Sequence, residues 1–146
     1  MNLSEHFTLA ELCFSSTAQR LGIDNVPPAE VIDRLSRLAR GLEQIRALLG
    51  GYPLHIDSGY RCPKLNAAVR GAPKSAHMDG DAADFTCAQY GTPLQIVRAV
   101  QASGLAYDQI IQEGTWVHAS FAPAMRGQVL TAHFDACGRV TYSDGC

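Results

Sequence analysis

The sequence predicts an α+β domain, and three observations lead there. Apolar residues in the first half recur at steps of three and four, the spacing of one helix face. The last third carries short alternating runs separated by Gly-containing turns, the pattern of hairpins. The chain has 146 residues and 47% apolar side chains, enough for one sizeable core in a single domain spanning residues 1–146. Helices mostly first and hairpins mostly last is the order of an α+β chain.

Each element has a local cause. Thr8-Leu9-Ala10-Glu11 has the form of a capping box, so a helix starts at Leu9 and runs to Leu21-Gly22, with a break near Ser15-Ser16. Residues 23–26 read as a loop. Pro27-Pro28 suits a first helical turn, where a missing N–H costs nothing. From Pro28 to Leu49, Val31, Ile32, Leu35, Leu38, Ala39, Leu42, Ile45 and Leu49 make one broad apolar stripe. Asp33, Arg34, Arg37, Arg40 and Glu43 cover the other side and read as a solvated face. Gly50-Gly51 ends this helix. Residues 54–57 alternate and predict a strand, followed by a turn and a short helix over residues 65–69. A Gly/Pro/Ser-rich loop covers residues 70–76, and residues 82–87 read as a buried strand. Thr92-Pro93-Leu94-Gln95 is a second capping box, opening a helix to about Ser103. Residues 107–113 and 116–121 read as paired strands around Gly114-Thr115. Residues 128–134 and 139–142 flank a second hairpin turn, Asp135 to Gly138.

Composition removes several function classes. Twelve Lys and Arg against fourteen Asp and Glu give a formal charge of -2, unlike a protein built to hold nucleic acid. No apolar run approaches the ~20 residues of a membrane-spanning helix, so no membrane insertion is expected. The opening residues lack a cationic start followed by an apolar stretch, so no Sec-type signal peptide is read there and synthesis in the cytoplasm is expected. The five cysteines, Cys13, Cys62, Cys87, Cys137 and Cys146, are odd in number and form no C-x-x-C pair. They read as small core residues or idle thiols rather than a disulfide framework or a cysteine-based zinc site.

The chemistry-bearing stretch is SAHMDGDAADF, residues 75–85. It holds His77 and Asp84 with six residues between them, and His118 follows 34 residues after Asp84. Two imidazoles and a carboxylate are a standard set for a catalytic zinc, leaving the fourth tetrahedral position open. Such an ion lowers the pKa of water and polarises a carbonyl, which amide hydrolysis requires. Spacing alone leaves the alternative of solvated or core-satisfied side chains. The small residues Gly71, Gly80, Ala82 and Ala83 favour the metal reading, because they permit close backbone approach.

Residues 75–84 match S-x-H-x-x-G-x-A-x-D at Ser75, His77, Gly80, Ala82 and Asp84. This resembles the signature of the zinc D-Ala-D-Ala carboxypeptidase family, which includes vancomycin-resistance dipeptidases and phage endolysins and shares its fold with the Hedgehog signalling domain. SGYRCPKLN, residues 58–66, resembles the family's S-G-Y-R-x-x-x-x-N element, and WVHAS resembles its W-x-H segment. The N-terminal FTLAEL and TAQRLGIDNVPP are similar to short phage- or prophage-type members. The resemblance implies N-terminal helices packed on a small, mostly antiparallel sheet. It implies one Zn2+ held by His77, Asp84 and His118. It also implies that Arg61 holds a substrate carboxylate or steadies a carbonyl oxygen, tasks that suit a permanently charged planar fork of donors. Ser75 is expected to hydrogen-bond substrate near the metal, and Asn66 to fix its local loop.

Related enzymes often place an acidic residue three positions before the last His ligand; here that position is Thr115. The nearest carboxylate is Glu113. If Gly114-Thr115 is a two-residue type II′ loop, Glu113 pairs with Trp116, Gln112 with Val117 and Ile111 with His118. Paired residues share a face, so Glu113, Trp116, Ile111 and His118 lie together, with Glu113 a diagonal neighbour of His118 at roughly 7–8 Å by Cα. Glu113 is therefore the expected general base, with Asp79 and Asp81 in reserve and Asp108 on the opposite face. Trp116 is expected either to wall the cleft or to pack as a half-buried strand aromatic, with Gln109 and Ser120 on the same face. Tyr60 and Tyr107 suit either oxyanion donation or packing. His6, His55 and His133 read as ordinary histidines without a partner.

The sequence thus predicts a zinc metallopeptidase that cuts an amide next to a D-amino acid in peptidoglycan stem peptides, as carboxypeptidase or endopeptidase. By analogy with endolysins, it would act on the cell wall after holin-type release, as a monomer by default. Two other classes stand beside this one. A non-catalytic wall-binding or phage structural module would bind sacculi without creating new ends. An iron oxygenase also uses two His and one carboxylate, but commonly with the first His and the carboxylate two positions apart.

Overall fold

The computed structural model describes residues 1–146. Eleven elements follow the chain: α1 (Leu9–Cys13), α2 (Ser16–Leu21), α3 (Ala29–Leu48), β1 (His55–Ser58), α4 (Pro63–Ala68), β2 (Ala82–Thr86), α5 (Pro93–Ser103), β3 (Gln109–Gln112), β4 (Val117–Ser120), β5 (Gln128–Phe134) and β6 (Val140–Asp144). The expected α+β class holds.

Local chemistry sets the element ends. Thr8 Oγ accepts from Glu11 N at 3.1 Å and starts α1. Ser15 Oγ accepts from Ala18 N at 3.1 Å and starts α2, so the expected break is a second N-cap. Thr92 and Gln95 make both halves of a capping box at α5. The Cys62 thiol caps α4, accepting from Leu65 N at 3.4 Å. That helix begins two residues earlier than its apolar pattern suggests, with Pro63 in the first turn where its missing N–H is harmless. All five cysteines are free.

The six strands form one sheet in the order β1-β2-β4-β3-β5-β6. Every pairing is antiparallel except β3 with β5. The second hairpin extends the sheet through a parallel seam. Alternation gives the sheet two faces. Ala83, Phe85, Ile110, Val117 and Ala119 point to one side and join the apolar stripe of α3 and Ile96, Val97 and Val100 of α5 in a common core. Val31, Leu35, Leu38, Ala39, Leu42 and Ile45 of α3 are all buried there. At about 1.5–3 kcal/mol for each fully buried large apolar side chain, this face is the main force fixing the sheet's register. The opposite face carries Asp84, His118, Ile111 and Leu130 in one row across β2, β4, β3 and β5.

The polar side of α3 is not simply solvated. Arg34 Nη1 and Arg37 Nη2 reach Asp81, at 3.2 and 2.8 Å from its two carboxylate oxygens. Asp81 is almost wholly buried, and burial of a carboxylate requires such partners. The expectation of a partnerless face is corrected because the 75–81 loop folds back onto this helix. Glu43 is likewise engaged, accepting from Ser4 Oγ and from His6 N, both at 2.7 Å.

Candidate metal centre

The pairing of two strands and the fold of one loop bring the predicted ligands together. Asp84 on β2 is directly opposite His118 on β4. His77 arrives from the preceding loop. The loop can come this close because Gly80 has φ +74° and packs against α3, where a Cβ would meet Val31 Cγ1 at 2.8 Å. Ser75 Oγ accepts from His77 N at 3.3 Å, so this hydroxyl helps shape the turn that presents the imidazole. Asn66 does what the sequence suggests, donating from Nδ2 to Ala72 O at 2.9 Å and fixing the loop's entry.

One oxygen is the hub. Asp84 Oδ1 lies 3.2 Å from His77 Nε2 and 2.9 Å from His118 Nδ1. The potential ligand atoms of all three residues lie within 4.8 Å of one another. Tetrahedral zinc with ligands at ~2.0–2.1 Å has ligand–ligand edges of roughly 3.3 Å, so these separations fit one ion. His77 supplies the sharper test. Its Nδ1 donates to Gly59 O at 2.7 Å, which fixes the tautomer and leaves the Nε2 lone pair facing the cluster. That Nε2 is a buried polar atom with no hydrogen-bond partner. A side chain 2% exposed with an orphaned lone pair aimed at a carboxylate is arranged for a cation. The residues present therefore fit a metal.

Electrostatics agree. Burial pushes His77 down, against the pull of the Asp84 carboxylate, and favours the neutral ligand form. Burial would raise Asp84, but the close approach of the His77 and His118 imidazoles outweighs it and holds the carboxyl well below its usual range. Arg61 adds to this: Nη2 donates to Asp84 Oδ2 at 3.2 Å and Nε to Ser58 Oγ at 3.0 Å. The guanidinium is thus anchored at the cluster's edge, beside the outer oxygen of the carboxylate.

The turn register comes out as expected. Ile111 pairs with His118 and Gln112 with Val117, and Glu113 N donates to Trp116 O at 3.0 Å. Gly114 has φ +78° at the turn's first position. Glu113 is half-buried on the face of the metal cluster, and burial raises its carboxyl; His118 opposes that shift and Asp84 reinforces it. Trp116 is half-buried beside it.

Other candidates leave the site. Asp81 is committed to Arg34 and Arg37, and Asp79 is exposed at the turn. Gln109 and Ser120, expected near the metal, are committed elsewhere: Gln109 Nε2 donates to Gln128 Oε1 at 2.7 Å and Ser120 Oγ to Asp108 Oδ2 at 3.0 Å. Asp108 precedes the first residue of β3, so strand alternation does not orient it; Arg126 Nε and Nη2 hold its two oxygens, each at 2.9 Å. Tyr60 and Tyr107 are core residues. The three remaining histidines do have local partners: His6 meets Glu43, His55 meets Asp57 and His133 meets Ser143. Sequence reasoning missed Gly59 and Ser58, whose tasks are second contacts to His77 and Arg61. Their only sequence signal is their place inside the S-G-Y-R element.

A preset His-Asp-His group, with His77 and Asp84 buried and His118 half-buried, fits a metal ion on one face of an α+β sheet. Residues 5–120 match the family model described as Peptidase M15, and the chain belongs to that family of zinc-dependent peptidases. A comparison with curated proteins found no match.

Proposed function

We propose that this peptidase hydrolyses an amide bond next to a D-amino acid in peptidoglycan stem peptides, with one zinc ion held by His77, Asp84 and His118. The observation that carries the reading is the buried, unpartnered Nε2 of His77 facing the Asp84 carboxylate. Zinc bound there supplies Lewis acidity, which lowers the pKa of water and polarises a carbonyl. The chain's own residues do the rest. Glu113 accepts the proton that the attacking water gives up and returns it to the leaving amine, so one water is consumed and one carboxylate and one amine are formed. In the metal-free protein burial raises this carboxyl, the direction that favours returning the proton. Arg61, with Nε and Nη2 committed to Ser58 and Asp84, keeps Nη1 for a substrate carboxylate or the oxygen that gains charge. Trp116 walls the cleft beside Glu113, and the Ser75 hydroxyl, which accepts from His77 N, keeps its own proton to donate to substrate.

The test is incubation of zinc-loaded protein with purified muropeptides, followed by mass analysis. New amine and carboxyl ends next to a D-residue are the expected result. Loss of one terminal residue would mark a carboxypeptidase, and cleavage within the stem or crosslink an endopeptidase. Sacculus binding without new ends would overturn the reading in favour of a non-catalytic wall-binding module.

A further inference from the structure

The hairpin of β5 and β6 lies beyond residue 120, where the family match ends, yet the parallel seam with β3 carries it alongside the metal cluster. The register decides which of its side chains share that face. Leu130 is paired with Ile111, in the row of Asp84 and His118. One step past the Gln112–Thr131 pair, Glu113 is level with Ala132, and Ala132 pairs with Tyr142. Phe134 pairs with Val140 two residues further along the same face. Trp116, Glu113, Ala132 and Tyr142 therefore form a row, with Phe134 and Val140 at its side.

Three independent observations support that placement. Ala132 is only 6% exposed in a hairpin whose other strand residues are half-buried or exposed, so neighbouring side chains cover it. A Cβ on Gly114 would lie 3.3 Å from Phe134 Cε2, which sets that ring against the turn beside Glu113. The Tyr142 hydroxyl is raised by burial and further by the carboxylates of Glu113 and Asp84, so it lies within their field. Glu113 and Tyr142 are two strand spacings apart, roughly 10 Å by backbone, with a single alanine methyl between them. Phe134, Val140 and Tyr142 nonetheless remain among the exposed large apolar residues.

We propose that Phe134, Val140 and Tyr142 form the subsite for the substrate residue on the leaving-amine side, and that this shelf selects an apolar side chain there. The inference rests on Glu113 being the group that protonates the leaving amine. That proton is delivered over hydrogen-bond distance, so the amine and the residue carrying it lie over Glu113. Arg61 is at the opposite end of the cluster, beside Ser58 of β1, where in this arrangement it steadies the carbonyl oxygen and not the carboxylate of the leaving residue. The next surface past Glu113, away from Arg61, is the shelf. It offers two aromatic rings and a valine with no cation among them, so an acidic side chain there would lose hydration without gaining a partner.

The test uses zinc-loaded Glu113→Gln protein, which binds without turnover, and two probes, acetyl-D-alanyl-D-leucine and acetyl-D-alanyl-D-aspartate, titrated while backbone amide shifts are followed. The leucine probe is expected to bind about tenfold more tightly, the low end for an apolar site discriminating side chains, and to move the amides of residues 134, 140 and 142. Adding Tyr142→Ser or Phe134→Ser should remove that preference and leave the aspartate probe unchanged. Thr141→Ala, on the opposite face of the same strand, should change neither. Equal affinities, no saturable binding, shifts confined to other residues, or an equal effect of Thr141→Ala would each overturn the proposal. So would a change from dimer to monomer in the shelf variants with unchanged binding, which would make the shelf a contact between copies. Selective binding without muropeptide cleavage would sink the hydrolase and keep the shelf. Cleavage indifferent to the leaving residue would sink the shelf and keep the hydrolase.

Discussion

Replacing Gly80 with Ala should loosen the loop that carries His77, and the size of the effect can be worked from two costs. Gly80 has φ +74°, a conformation that costs an L-residue roughly 1–2 kcal/mol. The added methyl would also stand 2.8 Å from Val31 Cγ1 and 3.2 Å from both Leu35 Cγ and Val31 O. The valine and leucine belong to the buried stripe of α3, where overpacking costs typically about 1–3 kcal/mol. The sum is about 3 kcal/mol. For a chain of this size that lowers Tm by roughly 6–12 °C. A double-mutant cycle separates the two costs. Val31→Ala removes the nearest clashing atom, so the pair Val31→Ala/Gly80→Ala should be about 1 kcal/mol better than the sum of the singles, while the backbone cost remains. Thermal and urea denaturation of the four proteins in the absence of zinc measure this directly. A Gly80→Ala protein within 1 °C of the parent, or strict additivity in the cycle, would refute the claim that α3 and the signature loop meet through this glycine (the 1 °C limit is about a tenth of the expected shift).

The other predictions concern the site. Glu113→Gln should retain zinc, measured by metal analysis, and lower kcat by about 10²–10⁴, the usual contribution of a positioned proton carrier. In the zinc-free protein, burial raises the Glu113 carboxyl, so its titration followed by NMR should lie above the ordinary glutamate range; a titration at the ordinary value would contradict the half-buried placement. The same sign applies to stability: a carboxyl raised in the folded state favours folding at low pH and loses that contribution as pH rises, so Glu113→Gln should be slightly more stable than the parent at neutral pH by denaturant titration. Chelation should abolish peptidase activity and lower Tm, and zinc at about 100 times its Kd should restore about 2.7 kcal/mol of stability. His77→Ala and His118→Ala should lose that zinc-dependent increment, read by the same melts with and without metal.

Much of this site is legible in the chain because its determinants are local. The S-x-H-x-x-G-x-A-x-D run places His77, Gly80 and Asp84 within ten residues. A glycine in the first position of a two-residue turn selects the register that puts Glu113 and His118 on one face, since side chains alternate with period two. Where the reading fell short, the missing information was non-local. Arg34 and Arg37 look like an ordinary solvated face until the loop delivers Asp81 to them. Gln109 and Ser120 have the right alternation but lose their side chains to Gln128 and Asp108. Gly59 offers its carbonyl to His77 in a segment whose next residue is tied to the first helix, Tyr60 N donating to Leu12 O at 2.7 Å.

By itself, then, the sequence determined the capped helix starts, the strand faces, the hairpin register and which three residues could hold a metal, all of which depend on side-chain chemistry and backbone preferences within a few residues. Only the tertiary structure decided that His77 Nε2 is left without a partner, that Arg61 leans on Asp84, and that β5 runs parallel beside β3 and brings Tyr142 toward the cluster. Those outcomes depend on which surfaces meet when the core excludes water. Such contacts join residues far apart in the chain, and no local spacing records them.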